Sequence, residues 1–270
     1  MASHGYSLVL EHPAEGVALL RFADAGRANQ LCWAAVDEMA DLLAQCIESG
    51  VRVVVMASDL EGHWLEHAWL TDLDHGLGGE PTTSSGSGWF RVMRELSQAP
   101  LVSIAAINGD TCGGGCEIGW ACDLRIAETQ ARFAQPEIRL GIPPGVGGVS
   151  RLSSLVGRSL ASEMVLGGRW TSAPRLYAAG ALNRLVEPGS ALPVAIAWAT
   201  ELAQLPAAAL AACKQSLAAV PELPLSEALA NEQSVFQLTA SDTRSRAQIQ
   251  AQQRFYDAGG TTAECFDPSN

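Results

Sequence analysis

Lysine is almost absent from this chain. Lys214 is the single one among 17 basic residues, against 29 acidic residues, for a formal net charge of -12 in 270 residues. Nothing in that balance supplies a phosphate-neutralising face, which excludes general nucleic-acid binding. Long apolar runs are missing as well: the longest, 101–107 and 191–200, fall well short of a membrane span. Residues 1–13 contain no positively charged leader followed by an apolar core, so no signal peptide is expected. The seven cysteines are odd in number and lack Cys-x-x-Cys spacing. They are expected to be reduced, mostly buried packing residues of a cytoplasmic protein, neither disulfides nor zinc ligands. The glycines of 141–148 (GIPPGVGG) match neither common phosphate-binding pattern. They either let the chain turn close to a ligand or form a simple turn into a helix over 149–155.

What is present is a globular composition, 48% hydrophobic and 17% charged, with enough chain for one domain or two. Strand patterns at 17–22, 51–56, 101–107, 124–127 and 132–134 alternate with a helical pattern over 32–48, whose apolar spacing runs through Val36, Met39, Leu42, Leu43 and Cys46. That alternation predicts an α/β architecture. From about Ser190 the chain becomes alanine-rich and helical, over 191–205, 206–220, 225–240 and 243–257. The domain expectation is an α/β core over 1–190 and a helical region over 191–270. The segment 76–88 (GLGGEPTTSSGSG) has no apolar face and reads as a mobile loop, either a lid or a surface insertion.

Three glycines, Gly113, Gly114 and Gly115, lead into an apolar helical run. Free backbone N–H groups at such a helix start can hold an oxygen that turns anionic during a reaction. Glu117 follows within one turn, and Glu137 lies twenty residues further on. Two carboxylates brought to one reacting group are the minimal equipment for acid–base chemistry. Taken singly, Glu117 more often reads as an exposed helix residue, and Glu137 as a charge near a helix start.

A competing pattern is His63-Trp64-Leu65-Glu66-His67, which spells H-x-x-E-H. On a helix, those histidines would hold zinc beside a catalytic glutamate, the signature of a hydrolase. The pattern closely follows a strand and a turn-like stretch at 59–62, which argues against the helix it needs.

The stretches APLVSIAAINGD (99–110), GGGCE (113–117), Cys122-Asp123, FAQPEIRLGIPPGVGG (133–148) and AAGALNRLVEP (178–188) together resemble the enoyl-CoA hydratase/isomerase (crotonase) family. GRANQL (26–31) and VRVVVMAS (51–58) fit more loosely. The resemblance implies a crotonase-like spiral of ββα units with a helical C-terminal trimerisation region, the trimers often pairing into hexamers. It implies an acyl-thioester substrate, usually on coenzyme A, with no bound cofactor or metal. The thioester oxygen would be held by the N–H groups of Gly114 and Ala68, and Glu117 and Glu137 would carry hydration, Glu117 mainly orienting water and Glu137 mainly protonating Cα. Like charge between the two would raise one pKa.

Trp64-Leu65-Glu66-His67-Ala68-Trp69-Leu70 departs from the family's usual Phe-Ser-Ala-Gly-Ala-Asp-Leu at His67 and Trp69. Ala68, Trp69, Leu70 and Gly114 are the implied substrate contacts, with Arg27 and Ala28 along the coenzyme A nucleotide. The helix over 243–257 carries Arg244, Arg246 and Arg254 but no lysine for the coenzyme phosphates. Double-bond isomerisation, or acyl-CoA binding without hydration, are the alternatives inside the family. A protein-bound pantetheine is the alternative carrier.

Overall fold

The computed structural model describes residues 5–220 and 223–266. Its strands are β1 (Ser7–Ala14), β2 (Val17–Ala23), β3 (Val53–Ser58), β4 (Gly62–His63), β5 (Val102–Ile107), β6 (Gly109–Cys112), β7 (Leu124–Glu128), β8 (Arg132–Ala134), β9 (Thr171–Ser172) and β10 (Arg184–Val186). Six of them form one sheet in the order β1-β2-β3-β5-β7-β10, and β4-β6-β8-β9 form a second. Apart from the antiparallel edge pair β1–β2, the large sheet is parallel.

Every residue of β3 and β5 is buried, as expected for parallel strands covered on both faces. Alternate side chains of β3 serve two cores. Val54 and Met56 join Met39 and Leu43 of helix α1 (Trp33–Glu48). Val53, Val55 and Ala57 join Ala191, Ala195, Ala199 and Ala203, a stripe of small residues four apart on helix Ala191–Gln204. That stripe lets the helix lie close against the sheet. The change of composition at Ser190 therefore precedes the division of the fold, which separates into compact units 1–211 and 212–270. The second unit contains helices Leu225–Ala240, Thr243–Asp257 and Thr262–Phe266.

Two local expectations are corrected. The strand expected over 51–56 spans 53–58, because the Val51 N–H donates to Cys46 O and the Arg52 N–H to Gly16 O, closing the turn before the ladder begins. The segment expected as a mobile loop is tied down. Its first residues finish helix α2 (Leu70–Gly78), and its end starts helix α3 (Gly88–Ser97). Between them, buried Asp72 accepts from the Thr83 N–H at 2.8 Å and from the Trp33 N–H at 2.7 Å. One carboxylate thus fastens the segment to the first residue of α1.

Candidate active site

Helix α4 (Gly114–Ala121) starts after Gly113, whose φ of 51° favours glycine. Its first residues sit where backbone approaches backbone. A Cβ on Gly115 would lie 1.9 Å from Leu65 O, so the segment before Ala68 can rest on this helix start only if the position lacks a side chain.

Residues 64–69 run extended to irregular, joined to Leu31 by a parallel bridge at Ala68. The Leu31 N–H donates to His67 O at 3.0 Å and the Trp69 N–H donates to Leu31 O at 2.8 Å. Ladder alternation turns the Ala68 N–H to the opposite side. There it faces Gly114: a Cβ built on Gly114 would lie 3.5 Å from Ala68 N. Neither the Ala68 nor the Gly114 N–H has an acceptor among the described residues. His67 Nδ1 donates to Ala68 O at 2.8 Å.

Because this segment is not helical, His63 and His67 are not one helical turn apart, and the zinc-hydrolase reading loses its geometry. Glu66 instead accepts from His63 Nδ1 at 3.1 Å and from Cys112 Sγ at 2.9 Å. Among the described residues no group of three or more His, Cys, Asp or Glu side chains is arranged to hold a metal ion.

Glu117 and Glu137 line one cavity of about 410 Å³ with Ala68, Leu70 and Gly114. Glu117 is buried, and its Oε1 accepts from the Gly148 N–H at 2.7 Å and the Val146 N–H at 2.9 Å. Burial pushes this carboxyl above the usual carboxylate range, while the two amides and Arg151 pull it back down.

Glu137 begins a short 3-10 turn, Glu137–Leu140. Its Oε1 accepts from Gln135 Nε2 at 3.1 Å, and its Oε2 is buried with no hydrogen-bond partner. Burial is the main cause that pushes Glu137 up to about 7, with its own backbone N–H opposing and the charge of Glu117 adding a smaller push. The expected like-charge effect is therefore real but secondary to desolvation. Gln135 is fully buried and accepts in turn from Trp120 Nε1 at 3.4 Å.

The rest of the wall is mostly apolar, including Trp33, Leu73, Trp89, Ile142 and Val146, with His67 and Arg139 as its other polar side chains. The glycine loop 141–148 reaches the cavity, as the ligand-side reading of those glycines anticipated. Its amides on Glu117 were not anticipated, since main-chain donors leave no residue-type signature. Nor were Trp33, on a helix whose apolar positions read as ordinary core, and Trp89, in a stretch that gave no helix signal. Trp69, Arg27 and Ala28 do not line the cavity; the Arg27 guanidinium lies 4.6 Å from the centre of the Trp69 ring and pairs with Asp24 at 2.7 Å.

The sequence matches the family model for enoyl-CoA hydratase/isomerase over residues 12–258. It is 38% identical over 146 residues to the short-chain-enoyl-CoA hydratase of Clostridium acetobutylicum, covering 54% of this chain and 56% of that protein. It is 40% identical over 153 residues to the 2,3-dehydroadipyl-CoA hydratase of Escherichia coli, covering 57% and 58%. The matched region thus spans little more than half the length of these relatives. The fold superposes on the crystal structure of an enoyl-CoA hydratase from Bacillus anthracis with a TM-score of 0.82 and 26% identity, over 92% of this chain and 96% of that one. By the extent of the family match and the shared fold, this chain belongs to the enoyl-CoA hydratase/isomerase family.

Proposed function

We propose that this protein hydrates the α,β double bond of an enoyl thioester carried on coenzyme A, with Glu117 as base and Glu137 as acid. The observation that carries the reading is the contrast between the two carboxyls in one cavity. Glu117 receives two amide N–H bonds, which favour its ionised form. Glu137 has a buried, unpartnered oxygen and sits at about 7, which favours its retaining a proton.

In the proposed reaction the substrate carbonyl oxygen lies against the Gly114 and Ala68 N–H groups. Glu117 takes a proton from water as the water oxygen bonds to Cβ. The π electrons move to the thioester oxygen, giving an enolate-like anion that the two amides stabilise. The enolate then collapses as Glu137 gives its proton to Cα. Glu117 ends protonated and Glu137 ionised, and exchange with solvent restores both. Leu70 and the apolar wall would receive the acyl group; Trp69 with Arg27 and Ala28 would lie outside it, towards the carrier. No added metal or redox cofactor is required by these steps.

The same reading makes the protein a cytoplasmic trimer or hexamer. The oligomer follows from the family resemblance, and the seven free cysteines are consistent with a reducing compartment. The test is an assay of 2-enoyl and 3-enoyl thioesters, on coenzyme A and on a carrier protein. Hydration of the 2-enoyl-CoA supports the reading; conversion of the 3-enoyl thioester alone would make it an isomerase.

A further inference from the structure

Arg151 takes no part in the steps above, yet it bears on Glu117. It lies in the first turn of helix Ser150–Gly167. Its Nη1 donates to Val146 O at 3.0 Å, its Nη2 donates to Ser97 Oγ at 3.1 Å, and its backbone N–H donates to Gly147 O at 3.0 Å. A Cβ on Gly147 would lie 2.5 Å from Nη1, so the guanidinium rests directly on the loop backbone. The same three-residue loop presents the Val146 and Gly148 N–H groups to Glu117 Oε1. We propose that Arg151 is a positioning residue: it grips the 146–148 loop between two helices and so holds the Val146 and Gly148 amides on Glu117, keeping that carboxylate aimed into the cavity.

The inference rests on the hydratase reading for its kinetic consequence, but not for its geometry. The flat guanidinium matters because it reaches a loop carbonyl and a helix hydroxyl at once, which a lysine ammonium on a flexible stem does not reproduce. The charge matters because burial disfavours the ionised form of Glu117, and the nearby Arg151 cation favours it. Burial disfavours the cationic form of Arg151 in turn, and the charge of Glu117 favours it.

The experiment compares R151M and R151K with wild type, after circular dichroism and sedimentation confirm folding. Turnover of crotonyl-CoA is measured across pH, and the Glu117 carboxyl is titrated by carbon NMR. R151M should lose about 10²-fold in kcat with little change in KM, the scale of a displaced catalytic group. The acid limb of its profile and the Glu117 titration should both move to higher pH. R151K should show an intermediate kcat, with the limb near its wild-type place. A folded R151M with wild-type kcat and an unmoved Glu117 titration overturns the inference. If R151M does not fold, wild-type kcat in R151K overturns it and a reduced kcat at unchanged KM supports it. A wild-type protein without hydratase activity counts against the hydratase reading alone; the NMR titration of Glu117 then decides the role of Arg151.

Discussion

Gln135 donates through Nε2 to one oxygen of Glu137 at 3.1 Å, while the other oxygen is buried and unpartnered. A carboxyl placed this way is better neutral than charged, and both activity and stability should register it. Its proton is available for donation below about 7 and lost above. The rate kcat/KM should therefore fall on the alkaline side with an apparent pKa near that value, and on the acid side as Glu117 takes up a proton. The two limbs belong to the coupled pair. E137Q should abolish the alkaline limb; a profile flat to pH 9 in wild type would remove Glu137 as the acid.

Stability follows the same linkage with its own sign. Because the folded pKa lies above the ordinary carboxylate value, this group's contribution is fully present below that ordinary value. It is lost as pH rises through about 7. The amide that E137Q introduces cannot ionise. The melting temperature of wild type should therefore drop relative to E137Q between pH 5 and 8, measured calorimetrically. Parallel curves across that range would show that Glu137 is not buried enough to matter.

The proposed oxyanion site is tested at its two amides. Gly114→Pro removes an N–H and should cost about 10²–10³ in kcat if that group stabilises the transition state. Ala68→Pro is the matching change at the donor next to His67. Both need circular dichroism and oligomer size as controls. A folded Gly114→Pro with a normal rate would reduce Gly114 to a turn residue.

Gly148 is a joint between the two acids. Its N–H serves Glu117, and a Cβ there would meet Gln135 Nε2 at 2.1 Å and Pro144 Cβ at 2.7 Å. G148A should displace Gln135 and the loop together, with a loss of about 10²-fold in kcat. If a crystal structure of G148A showed both glutamates unmoved and the rate was normal, the joint would have no role.

Asp72 anchors the 79–87 stretch to the start of α1. D72A leaves the Trp33 and Thr83 donors without their acceptor and should cost about 1–3 kcal/mol of stability. Chemical denaturation measures that loss, and limited proteolysis should cut first within 79–87. Unchanged stability would mean that water replaces the carboxylate at no cost.

The parts of this molecule that were legible in its sequence are those in which residue type dictates geometry. The apolar runs 101–107 and 17–22 announced strands of an α/β fold, and the glycine run at 113–115 announced a helix start with free backbone N–H groups. The edge strand Ser7–Ala14 gave no such signal, because its residues are exposed or half-buried and do not alternate. The segment 76–88 looked mobile because its own composition offers no packing face. Its anchor is a distant carboxylate, visible only once α2 brings Asp72 to α1. The glutamates and Gly114 stood out by motif, whereas the Val146 and Gly148 amides depend on the path of the backbone. Alanine spacing on 191–204 was read as the start of a helical region, although the stripe belongs to the sheet it covers.

The central claim, that Glu117 and Glu137 together add water across an enoyl thioester, is tested most directly by product analysis in isotopically heavy water. Wild type, E117Q and E137Q are incubated with crotonyl-CoA in water labelled at oxygen, without added metal or redox cofactor, and the thioester product is examined by mass spectrometry. The account predicts a 3-hydroxyacyl-CoA carrying the labelled oxygen in wild type, formed about 10²–10⁴ times more slowly in each variant. Unlabelled product, or near wild-type turnover in both variants, would contradict it.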